Sequence, residues 1–75
     1  MYKDDKSIVY FRKKRNLRQI DLAEELGIKR YYLSFIETKK ILPDMKLAEK
    51  MSETLKASMG QLWTEEELNT ILERR

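Results

Sequence analysis

The chain has 75 residues, 16 of them Lys or Arg and 13 Asp or Glu, giving a net charge of +3, and it contains neither cysteine nor histidine. That length allows one domain at most, and the two missing residue types exclude disulfides, thiolate zinc sites and thiol nucleophiles along with the commonest general base and metal ligand. No apolar run approaches the roughly 18 residues of a membrane span, and the first seven residues are too charged for a signal peptide, so a soluble cytoplasmic protein that needs no membrane, cofactor, metal or small-molecule ligand is expected.

Residues 1–6 are polar and expected to fray. Ser7 is placed as the cap of a first helix over residues 8–15. Winding that helix puts Ile8, Phe11, Arg12 and Arg15 on one side and Val9, Tyr10 and Lys13 away from it. Asn16 suits the residue after the helix, because Asn tolerates the left-handed conformation. The second helix runs from Gln19 to Leu26, with Leu22, Ala23 and Leu26 as its apolar stripe and Gly27 as its stop. A third follows over residues 30–38. Pro43 and Asp44 announce a fourth, capped by Asp44, in which Met45, Ala48, Met51 and Leu55 share a face. Ser58 opens a short fifth helix ending near Trp63. Thr64-Glu65-Glu66-Glu67 reads as a capping box for a final helix with Leu68, Ile71 and Leu72 on one stripe. No stretch alternates as a strand does, so the fold class is all-α, a bundle of five or six short helices.

Charge is unevenly spread. Residues 1–43 hold 11 Lys/Arg against 6 Asp/Glu, and residues 44–75 hold 5 against 7. A basic half suggests one face for a polyanion. The third helix sharpens that suggestion. Leu33 and Ile36 share its inner face, with Tyr32 at the edge. The opposite side collects Arg30, Tyr31, Ser34, Phe35 and Thr38. Guanidinium, hydroxyl and ring groups on one free face match a DNA major groove: Arg can bond guanine O6 and N7, Ser can bond either kind of edge, and an aromatic ring can pack on a thymine methyl. The tight turn at Gly27 would mount that helix across the second and leave its face protruding.

Those residues carry a resemblance. The stretch from Leu17 to Lys40 resembles the helix-turn-helix of the Cro/CI phage-repressor family, also called the xenobiotic-response-element family. Leu17-Arg18-Gln19, Leu22-Ala23, Gly27-Ile28-Lys29 and Ile36-Glu37-Thr38-Lys39-Lys40 fall on its pattern. Pro43, the helix over residues 47–55 and Ser58…Leu62-Trp63 match its later helices, so the likeness covers residues 8–63. It implies a lambda-repressor-like bundle of five short helices plus a C-terminal helix. The DNA-binding domain would be residues 1–63, its helix-turn-helix about residues 19–38, with residues 64–75 as a dimerisation element. The likeness further implies that Arg30, Tyr31, Ser34 and Phe35 face bases. Gln19, Thr38 and Lys40 would contact the backbone, and Arg12 and Glu37 would form a partly buried ion pair joining the first helix to the third. Three residues depart from the pattern. Lys29 and Arg18 replace Ser/Thr caps, at a cost of about 1 kcal/mol for a lost cap. Lys39 replaces a glycine and is expected to sit in a left-handed turn. The added cations, Arg18 and Lys29 among them, fall where phosphates would run.

The expected function is that of a sequence-specific regulator of transcription, a repressor binding double-stranded DNA as a homodimer on a near-palindromic operator, in the cytoplasm at the nucleoid. The rival is a protein-interaction module, such as an antitoxin or adaptor, with Phe35 and the last helix facing a protein partner. Leu68, Ile71 and Leu72 could form the dimer interface or fold back on the domain. Tyr32 reads as core or rim, and Trp63 as a core plug. Residues 13–15 read as a solvated face, part of which could meet phosphate. Glu24 and Glu25 are helix neighbours that do not face one another, and without His, Cys or a ligand cluster no enzyme is expected.

Overall fold

Apolar residues spaced three and four apart wind the described residues into six helices: α1 (Ser7–Lys14), α2 (Gln19–Leu26), α3 (Arg30–Glu37), α4 (Met45–Leu55), α5 (Met59–Leu62) and α6 (Glu65–Glu73). This is a computed structural model, and it describes residues 7–74; the expectation for residues 1–6 lies outside them. No strand occurs among the described residues. Helix α1 starts one residue earlier than its pattern suggests. Ser7 therefore sits in its first turn rather than capping it.

Four helices end by one device. Asn16, Gly27, Lys39 and Lys56 all adopt left-handed backbone, with φ of 60°, 73°, 67° and 55°. In each case the next N–H reaches back five residues and the left-handed residue's own N–H reaches back three. Leu17 thus donates to the Arg12 carbonyl at 3.1 Å, Ile28 to Ala23 at 3.0 Å, Lys40 to Phe35 at 2.9 Å and Ala57 to Ser52 at 3.1 Å. This pairing satisfies the carbonyls a helix C-terminus leaves open. Only one of the four is glycine, so three turns carry a side chain in a region that disfavours it.

The starts are capped where an acceptor is available. Asp44 accepts the Leu47 N–H at 2.9 Å, and Ser58 accepts that of Gln61 at 3.2 Å while Gln61 returns the bond at 2.9 Å. Thr64 and Glu67 form the same reciprocal box at 3.1 and 2.9 Å. The core is built from every helix: Ile8, Leu22, Leu33, Ile36, Ala48, Met51 and Ile71 are wholly inaccessible, and Leu55, Leu62 and Trp63 nearly so. The Trp63 indole N–H has no acceptor among the described residues. Helix α2 packs on both α3 and α4, and α5 joins α4 to α6.

Two expectations change here. Arg15 is not on the core side; it is exposed and reaches across to the Thr54 carbonyl at the end of α4. The α6 stripe is not a free surface either. Ile71 is fully buried and Leu68 packs against the same core, leaving only Leu72 of the three exposed.

Candidate nucleic-acid interface

Gly27 lets the chain turn sharply between α2 and α3. A Cβ there would meet no atom within 4 Å, so the positive φ alone favours glycine. Lys29 precedes α3 as its N-cap, and its side chain makes no capping bond. The helix's inner side is Leu33, Ile36 and Glu37, all buried. Its outer side is Arg30, Tyr31, Ser34 and Phe35, which with Gln19 line one shallow open recess. Tyr31 is 66% and Phe35 42% exposed. Their rings meet edge to face, with centroids 6.2 Å apart and planes at 77°. Tyr32 points the other way and is half-buried against the core.

A chain of polar contacts runs from α1 to this face. Arg12 Nε donates to Glu37 Oε2 at 2.7 Å, Nη2 to Oε1 at 3.3 Å, and Nη1 to the Leu17 carbonyl at 3.0 Å. Glu37 Oε1 also accepts Gln19 Nε2 at 2.8 Å, and Gln19 Oε1 accepts Arg30 Nε at 3.2 Å. The Arg12 and Glu37 side chains are 11% and 3% exposed. A buried pair of this kind persists when its remaining polar atoms are also partnered, and here each guanidinium nitrogen and both carboxylate oxygens have a partner. The relay from Glu37 through Gln19 holds the Arg30 guanidinium above the recess. Sequence spacing carries no sign of it, because the partners lie on three different helices.

The other expected contacts are unequal. Lys29 and Lys40 are exposed with no side-chain partner among the described residues. Arg18 is exposed, but its Nε and Nη2 each donate to Asp21 at 2.9 Å, and its backbone N–H donates to the same carboxylate at 2.9 Å. Those contacts, the Arg18 side chain first, draw the Asp21 carboxyl down to about 2 and raise the Arg18 guanidinium above its usual value. Arginine has no acceptor to offer the helix start, so Asp21 supplies half a capping box alone. The Thr38 hydroxyl already donates to the Ser34 and Phe35 carbonyls at 3.0 and 3.2 Å. Lys39 is turned in toward the fold, its side chain only 13% exposed. Its Nζ donates to the Leu62 carbonyl and to Glu67 Oε1, both at 2.9 Å, and lies 5.9 Å from the centre of the Trp63 ring. That is a correction: of the added cations, Lys39 serves the fold. On α1, Lys13 and Lys14 are exposed, with Lys14 Nζ 5.7 Å from the Tyr10 ring centre.

Among the described residues no group of three or more carboxylates could hold a metal ion, and no helix is long and apolar enough to cross a membrane. An open recess lined by a guanidinium, two hydroxyls, an amide and two rings, flanked by free lysines, is suited to the edge of a polyanion. Comparison with known proteins agrees. A family model described as helix-turn-helix matches residues 8–62, which takes in α1 to α5 and leaves out α6. No curated protein and no solved structure matches the chain.

Proposed function

The chain belongs to the Cro/CI-type helix-turn-helix family of DNA-binding regulators, and on that premise we propose that it binds one operator sequence in double-stranded DNA and represses transcription there as a homodimer. The observation that carries this reading is the outer face of α3. Arg30, Tyr31, Ser34 and Phe35 stand together on it, and Leu33, Ile36 and Glu37 anchor the face behind. In this reading α3 lies in the major groove and α2 crosses the backbone.

Arg30 bonds a guanine edge, and the Gln19 relay directs it. Gln19 keeps a second amide hydrogen for a phosphate. Lys29 and Lys40 contact phosphates at either end of α3. Arg18 lends charge from its paired guanidinium. Thr38 reaches a phosphate only by turning its hydroxyl away from α3. The domain measures 30 × 28 × 21 Å, a size compatible with two copies side by side on half-sites about 34 Å apart, one helical turn. Leu72 is the part of the α6 stripe still available to such a contact.

Two substitutions separate the roles. Arg30→Ala is expected to relax preference at one base pair, at a cost of about 1–3 kcal/mol on the operator and little on random DNA. Lys40→Ala is expected to weaken all sequences alike and to lower the salt slope by about 1. Equal losses on specific and random DNA for both variants would overturn the assignment.

A further inference from the structure

Two large rings on the exposed face of α3 are costly in water, and the relay that holds Arg30 does not use them. Phe35 has no donor or acceptor. Facing a base edge, it would leave any opposing amino group or carbonyl unpaired, a penalty that excludes most edges. The major groove offers one apolar projection, the C5-methyl of thymine. The ring pair is also braced. Its edge-to-face contact at 6.2 Å keeps the two rings from collapsing onto one spot. Successive base pairs rise about 3.4 Å, so centroids 6.2 Å apart match methyl groups nearly two steps apart when the ring pair lies along the groove.

We propose that Tyr31 and Phe35 read two thymine methyl groups about two base pairs apart in each half-site, beside the base pair addressed by Arg30. This rests on the reading that the outer face of α3 meets base edges, and it names what that face selects. Arg30 and Ser34 read by hydrogen bonds, and the rings read by shape and by burial of methyl surface. Phe35 has the stronger preference, since the Tyr31 hydroxyl can also turn to a phosphate oxygen.

The test uses the unaltered protein. A duplex carrying the site recovered by selection is compared with duplexes in which deoxyuridine replaces thymidine at one position at a time. That change removes the methyl and keeps the pairing and O4. Burial of one methyl corresponds to about a fourfold change in affinity. The expected result is a loss of that size at two positions per half-site and none elsewhere. Phe35→Ala is expected to abolish the difference between uracil and thymine at one of them. If uracil is bound as tightly as thymine throughout, the methyl reading is overturned. It is overturned equally if the uracil losses persist undiminished in Phe35→Ala. In both cases base reading by Arg30 survives, as shown by relaxed preference in Arg30→Ala. Selection that recovers no site overturns both.

Discussion

Glu37 ties three helices together. It receives Arg12 from α1 and Gln19 from α2 while sitting at the end of α3. Removing it leaves a guanidinium nine-tenths buried without its counter-charge, which costs about 3–5 kcal/mol. A domain of this length holds about 4–11 kcal/mol in all. Denaturant unfolding of Glu37→Ala is therefore expected to show most of the stability gone, and the pair Arg12→Met with Glu37→Leu to recover much of it. A loss below about 1 kcal/mol would mean the pair is not the brace described. Asp21 acts at the surface and is tested by acid. Its carboxyl titrates lower folded than its usual 3.8, at about 2. A lowered carboxylate stabilises the fold above its unfolded value and ceases to do so as pH falls through its folded one. Asp21→Asn is expected to lose less stability than the parent between about pH 4 and pH 2, read from unfolding midpoints at each pH.

Helix endings give the next test, because two lysines occupy the same backbone state for different reasons. Lys56 ends α4 with φ 55° and an exposed side chain; Lys39 ends α3 with φ 67° and a half-buried, paired ammonium. Left-handed backbone costs a non-glycine residue about 1–2 kcal/mol, and glycine returns about 0.5–1 of that through its greater unfolded freedom. Lys56→Gly is expected to raise stability by about 0.5–1 kcal/mol. Lys39→Gly relieves the same strain but deletes the bonds to Leu62 and Glu67, so it is expected to lower stability. Opposite signs in parallel denaturant titrations support the latch, and a gain in both would show that Lys39 contributes nothing through its side chain. The latch also accounts for α6. Glu67 lies on a helix outside the family match, and Lys39 stands where the family pattern has glycine. These two departures meet in one ion pair of 2.9 Å that ties the exit of α3 to the rest of the fold.

At the scale of the whole molecule, what could be read from sequence was what is local. Helical spacing located all six helices, Asp44 and Thr64 announced their caps, and Gly27 and Asn16 their stops. The outer face of α3 was legible because one short helix carries it. Contacts between helices were not legible from periodicity. Arg12 with Glu37 came from the family pattern, while the Gln19 relay and the Lys39 latch came only with the coordinates. Lys56 at positive φ had no signal, since lysine is not a residue that marks such turns. Ile71 and Leu72 are adjacent in sequence, yet one is core and the other surface, and a stripe of three could not say which.

The proposed role of this basic face is to read sequence. The most direct measurement is selection of bound duplexes from a random pool by the purified protein, at two salt concentrations, followed by sequencing and titration of the enriched site. The expected result is a two-fold symmetric motif whose log affinity falls with log salt by about 0.9 for each phosphate contacted. Salt-sensitive binding with no enriched motif would contradict it, leaving a basic surface without a reading face and pointing instead to a protein partner at Phe35 and α6.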